Sequence, residues 1–159
     1  MKNFLKSEST KNESSNRGKI PVIKIVILFA VMAVIFIHSA MPGLVTSSES
    51  NVIVNPIVDL THSYDTFHIT VVVRKSAHFI EFLVLGLCLM AVIGKSGKPK
   101  WKHVLIAWLI GTVYAVSDEI HQYFVPGRSA MVRDVCIDAA GVAVGVLILF
   151  IIMWKRSRT

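Results

Sequence analysis

Ionisable side chains are scarce in this sequence. Asp, Glu, Lys and Arg make up 17% of its 159 residues, against about a quarter in an ordinary soluble domain. Hydrophobic residues reach 53% and arrive in blocks rather than singly. Such a chain is not a water-soluble globule, and at this length it forms one domain. Cysteine is nearly absent. Cys88 and Cys136 cannot build a disulfide framework; they fall in different apolar blocks and are expected as reduced, packed thiols. Also missing are a Gly-rich phosphate loop, an H-E-x-x-H pair and a Ser or Cys nucleophile elbow. The net charge of +7 raises nucleic acid as a partner. However, the cations flank apolar blocks and form no stripe with exposed aromatics, so no nucleic-acid binding is expected.

What is present is a set of long apolar blocks. Residues 1–19 are rich in Lys, Ser, Asn and Glu and have too little to bury, which predicts a disordered basic tail. The first block covers residues 20–40 and is long enough to span if Lys24 reaches the interface. A cleaved signal peptide is the rival reading, but His38-Ser39-Ala40 places a bulky side chain where cleavage wants a small one. A polar stretch follows to about residue 68, within which NVIVNPIVDL (51–60) suits the membrane surface. The second block covers 69–94, a basic loop KSGKPK (95–100) leads to the third at 101–124, and the fourth covers 132–154. The apolar part of the third block, 104–116, is too short to span alone, so it carries some of residues 117–122 towards the membrane. Pro126-Gly127 breaks the chain before the fourth block, and residues 155–159 form a basic C-terminal tail.

The fold class expected is therefore an all-α membrane protein of four transmembrane helices. Thirteen of the 17 Lys and Arg residues lie in the N-terminal tail with Lys24, the 95–102 segment and the C-terminus. Only Arg74, Lys75, Arg128 and Arg133 lie on the other side. The positive-inside rule then puts both termini in the cytoplasm, and Trp101 and Trp154 suit the inner interfacial belt.

That topology gathers the polar residues at the outer face. Arg74, His78 and Glu81 recur at helical spacing on one face, Asp118 and Gln122 share another with Glu119 beside them, and Asp134, Asp138, Gly141 and Gly145 form a third. Gly141 and Gly145 are a G-x-x-x-G pair suited to close helix packing. A charge at membrane depth costs about 2.5–3.5 kcal/mol even on the lenient insertion scale. These groups are therefore expected to face one another, with Lys75, Arg74 and Arg128 paired to carboxylates. Such a cluster either staples the helices together or forms a site.

RKSAHFIEFLVLG (74–86) and DEIHQYFVPGRSAMVRDVCIDAAGVAVG (118–145) resemble the VanZ-like family of bacterial membrane proteins, over about residues 36–150. The matching positions are Lys75, His78, Phe79, Asp118, Glu119, Gln122, Pro126, Gly127, Arg128, Asp134, Gly141 and Gly145. Phe82 stands where the family commonly has Tyr. Asp138 stands where Asn is expected and adds a carboxylate, and residues 38–42 match a Ser-rich helix end only loosely. The resemblance implies a bacterial cytoplasmic membrane protein of the cell envelope, associated with lowered susceptibility to glycopeptides such as teicoplanin.

Three functions fit these residues. The first is an accessory protein that alters the outer surface. The second is a membrane enzyme acting on a lipid-linked or phosphorylated envelope precursor, with His78, Asp118 and Glu119 as acid and base and Lys75, Gln122, Arg128 and Asp134 holding an anion or substrate. The third is a small proton- or ion-coupled carrier. No cofactor is expected. A divalent metal is compatible with the donors His78, Glu81, Asp118, Glu119 and Asp134, although none shows a dedicated ligand spacing. Beyond the lipid bilayer, the partner implied is a lipid-linked envelope precursor.

The charge split makes a topology prediction. Cysteines introduced at positions 50 and 130 should label from outside intact cells above the background of the native thiols, and one at position 98 only after permeabilisation. Labelling at 98 from outside refutes the four-span topology with both ends inside, and a mature protein beginning near residue 41 reveals a signal peptide instead.

Overall fold

A segment inside a bilayer finds no water for its peptide groups, and a helix satisfies them within one segment. The computed structural model describes residues 21–61, 66–94, 98–128 and 130–158, the side chains of 43–47, 49 and 61 excepted. Five helices and no strand make up the described residues: α1 Val22–Ala40, α2 Gly43–Thr61, α3 Thr66–Ile93, α4 Trp101–Tyr123 and α5 Val132–Arg156. All but α2 are long and apolar enough to cross a membrane. The tail expected over 1–19 lies outside the described residues.

Proline and glycine set several boundaries. Pro21, with φ −56° and no N–H to lose, stands at the N-cap of α1. The α1 helix ends at Ala40, two residues before Pro42, whose ring disfavours helical backbone in the residue before it. After α4 the turn passes through Gly127 at φ 75°, a left-handed conformation natural to glycine. The stretch read as polar connection is itself a helix, α2, despite Pro56 in its interior. Packed on α3, it buries Val54 and Ser50. Burial of Ser50 makes it a poor labelling position, and exposed Asn51 is the better reporter.

Named contacts give the helix directions. Lys24 Nζ donates to Ala91 O at 3.1 Å and His38 Nδ1 lies 2.7 Å from Glu81 Oε1, so α1 and α3 run antiparallel. Lys24 thus reaches a carbonyl in the last turn of α3, where the helix dipole favours a cation. Tyr114 donates to Met32 O at 2.7 Å and Ser39 bonds Asp118, so α1 and α4 run parallel. Lys75 pairs with Asp134, and a Cβ on Gly141 would approach Phe79 O to 2.5 Å. These advance together along both chains, making α3 and α5 a parallel pair joined through the returning α4. The start of α1 and the end of α5 consequently lie at the same end of the bundle.

Helix α3 is central and touches each of the other four. Its closest partner is α5, which it meets backbone to backbone. A Cβ on Gly145 would collide with Leu83 O and come within 2.9 Å of Leu87 N, and one on Gly86 would collide with Val142 O. Gly111 of α4 leaves room for the Val142 side chain, which a Cβ would meet at 2.5 Å. Around this contact lie buried Phe82, Leu85, Leu89, Met90, Val146 and Phe150. Lipid is as apolar as this core, so close packing and not dehydration holds the pair together.

Replacing Gly145 with Leu should force α3 and α5 apart and cost at least the 1–3 kcal/mol typical of overpacking. Val144→Leu, on an exposed position, should leave thermal stability in detergent nearly unchanged. Equal effects refute the backbone contact.

Candidate functional site

The end of α1, the first half of α3, the end of α4 and the start of α5 meet at the end of the bundle opposite the start of α1 and the end of α5, where the polar groups are linked in a network. Its most buried part centres on Asp118. Ser39 Oγ and Gln122 Nε2 each donate to Asp118 Oδ2 at 2.8 Å, and Gln122 Nε2 also lies 3.3 Å from Ser39 Oγ. Asp118 and Gln122 stand one helical turn apart on α4, so one face presents both. Ser39 is fully buried; a hydroxyl that ends an apolar span needs a partner, and the carboxylate supplies it.

Arg128, in the α4–α5 turn, reaches back over this group. It donates to Gln122 Oε1 at 3.3 Å, to His38 O at 2.8 Å and to Met41 O at 3.1 Å. These three hydrogen bonds are not the carboxylate pairing expected from the sequence, since two of them go to carbonyls at the α1 C-terminus. His38 O also accepts the N–H of the C-cap residue Met41 at 3.3 Å, and a guanidinium is well suited to cover the carbonyls of a helix end. Burial pulls the Arg128 pKa below its ordinary value, and the Arg74 cation pulls it further. Asp118, Glu81 and Glu119 oppose the shift, and a guanidinium keeps its charge regardless.

The remaining groups pair across helices. Lys75 forms an ion pair with Asp134. Glu119, buried on α4, accepts the Met131 N–H at 2.9 Å; Met131 is the N-cap of α5, so the carboxylate sits at the positive end of that helix. His38, bonded to Glu81, stacks on His78 with ring centroids 5.9 Å apart. Asp138 is 1% exposed. Its Oδ2 lies 3.9 Å from His78 Nδ1, too far for a hydrogen bond, and finds no partner among the described residues. One ligand atom each from His78, Asp118 and Asp138 fall within 4.8 Å of one another, making these the residues placed to hold a metal.

A pocket of about 600 Å³ opens beside the network. Arg74, Lys75, His78, Glu119, Arg128 and Asp134 stand on its polar walls, and Phe67, Val71 and Ile137 on its apolar ones. Of the residues singled out in the sequence, Lys75, His78, Glu119, Gln122, Arg128 and Asp134 line this pocket. Asp118 lies behind them, bonded to Ser39 and Gln122. Gly141 and Gly145 stand at the α3 contact and not at the pocket. Ser39 and His38 were given no part in the site, Glu81 entered only as a cluster member and candidate metal donor, and Asp138 as an extra carboxylate on the polar face of its helix. The available signal was a Ser and a His closing an otherwise apolar span.

Ser39→Ala should strip a buried donor from Asp118 and cost about 1–3 kcal/mol. Exposed Ser117, bonded only to Tyr114 O in its own helix, should tolerate Ala within about 0.5 kcal/mol. Thermal unfolding in detergent compares the two, and equal stability would deny Ser39 its place in the network.

No curated protein and no solved structure shows significant similarity to this chain. A family model described as VanZ/LLP1 matches residues 24–153. That match runs from the first turn of α1 to the last turn of α5 and takes in every polar contact described above. This helical protein with four membrane-spanning segments belongs to the VanZ/LLP1 family.

Proposed function

We propose that this protein holds the anionic headgroup of a lipid or lipid-linked envelope precursor in the α3–α5 pocket, at the outer face of a bacterial cytoplasmic membrane. By doing so it alters the envelope surface, and so lowers susceptibility to glycopeptides such as teicoplanin. The carrying observation is that Arg74 and Arg128 line one pocket of about 600 Å³, close enough for the Arg74 cation to disfavour the charge on Arg128. An anion between them removes that repulsion, and guanidinium forks suit phosphate or carboxylate oxygens. The apolar wall of Phe67, Val71 and Ile137 suits the start of an acyl or prenyl chain. The outer location rests on the positive-inside count.

A second reading, a membrane enzyme acting on the same substrate, draws on His78 and Glu119 lining that pocket as acid and base. The carrier reading has less behind it, since four spans without an internal repeat lack the usual frame for alternating access.

Titrating the purified protein with phosphatidylglycerol and with phosphatidylcholine tests the anion site. The anionic lipid should raise the melting temperature and the zwitterionic one should not. Arg74 makes no hydrogen bond among the described residues, so Arg74→Gln should at least halve the shift and leave the lipid-free melting temperature unchanged. Equal stabilisation by both lipids, or an undiminished shift in Arg74→Gln, overturns the reading. Glu119→Gln keeps an acceptor for the Met131 N–H and removes the acid, so it separates binding from chemistry. On the enzyme reading it retains lipid binding and abolishes the tolerance phenotype, and a full phenotype at normal stability removes Glu119 from the site.

A further inference from the structure

Asp138 is the least satisfied polar group in the network. Its side chain is 2% exposed and its Oδ2 has no hydrogen-bond partner among the described residues. A second carboxylate, Asp118, and the ring of His78 offer ligand atoms within 4.8 Å of it and of each other. Two carboxylates brought this close and away from water repel each other unless something positive lies between them. Ser39 and Gln122 are the hydrogen-bond donors to Asp118 Oδ2, and neither carries charge. Lys75 is committed to Asp134, and Arg128 donates to Gln122 Oε1 and two backbone carbonyls. Neither Lys75 nor Arg128 thus bonds Asp138, and Asp138 Oδ2 stays 3.9 Å from His78 Nδ1.

We propose that His78, Asp118 and Asp138 form a binding site for a divalent transition-metal cation, with zinc the best match. One imidazole and two carboxylates are a nitrogen–oxygen donor set of the kind zinc and manganese accept. Two carboxylates neutralise the ion's charge, as a site shielded by three membrane helices requires. The ligands come from α3, α4 and α5, so the cation cross-links the parallel pair to the helix returning between them. Ser39 and Gln122 support Asp118 from outside, as outer-shell partners orient metal ligands. Donors around zinc at about 2.0–2.2 Å lie about 3.4 Å apart, so the three side chains close inward by little more than 1 Å on binding. His78 and Asp138 also line the large pocket, and the cation's fourth position faces it, open to water or to an oxygen of an anionic ligand. The site stands independently of what fills the pocket, because metal binding is measured without any anionic lipid.

The test uses the full chain, purified in a neutral detergent and stripped with a chelator. Zinc titrated alone should bind at one equivalent per chain and raise the melting temperature. Asp138→Asn and His78→Gln should each weaken binding at least tenfold, and Asp59→Asn, on exposed α2, should leave it unchanged. Asp138→Asn should also melt no lower than wild type without metal, since Asp138 Oδ2 has no partner to lose; a mere helix staple predicts a loss. X-ray absorption on the zinc-loaded wild type reads the ligand set directly, and does so even where a variant fails to fold. Nitrogen and oxygen donors with an imidazole signature support the site. Sulfur donors, which place the ion at Cys88 or Cys136, overturn it. Absence of stoichiometric binding, or undiminished affinity in both ligand variants, overturns it as well.

Discussion

Everything at the polar end of this molecule depends on how closely α3 and α5 approach. Gly141 and Gly145 let the α5 backbone lie directly on that of α3 at Phe79 and Leu83, and Gly86 returns the favour beneath Val142. A contact between backbones has little freedom to slide or rotate, because the neighbouring side chains already fill the space on either side. It therefore sets the register of the pair. Moving towards the start of both helices, Asp138 comes opposite His78 and Asp134 opposite Lys75. A slip of one residue would rotate α5 by about 100° and turn both carboxylates away from their partners. Packing at mid-bundle thus aims the groups of the site.

Within that frame, the polar groups are satisfied in a manner suited to a low dielectric. Asp118 takes two neutral donors, Glu119 takes a backbone N–H at a helix start, and Arg128 covers the carbonyls at a helix end. Such contacts lower the cost of burial without demanding a full ion pair, whose desolvation often outweighs its attraction. Arg128 does more than hold charge, because its reach to His38 O and Met41 O ties the α4–α5 turn to α1 and closes one side of the pocket. Asp138 departs from the pattern, its Oδ2 having no hydrogen-bond partner among the described residues. Its carboxylate sits beside His78 and Asp118, where three helices converge.

The four spanning helices were legible because each rests on a local property: a run of apolar residues of membrane length, bounded by Pro, Gly or basic loops. The glycine face of α5 was legible for the same reason, since helical spacing alone puts Gly141 and Gly145 on one side. Helix α2 was not legible. Its segment GLVTSSESNVIVNPIVDLT mixes polar residues with an internal Pro, and it is the surface of α3 that gives Val54 and Ser50 something to pack against. Among site residues, Lys75, His78, Glu119 and Asp134 stood out as charges on or beside apolar blocks. Ser39 did not, because an uncharged hydroxyl near a helix end is too common to signify.

Composition and spacing by themselves determined that this chain lives in a bilayer, how many times it crosses, and which faces of its helices carry ionisable groups. These follow from the transfer of short stretches of chain, and such stretches do not need to know their neighbours. The pairing of those groups was decided only by the tertiary structure. From the sequence, Arg128 was a cation in search of a carboxylate; in the fold, the carbonyls of His38 and Met41 at the end of α1 take it. From the sequence, Asp118 was an acid beside other acids; in the fold, Ser39 arrives from a helix 79 residues away and occupies it. Which partner a buried polar group finds depends on distances of a few tenths of an ångström between helices, and those distances are set by the close contact of Gly86, Gly141 and Gly145.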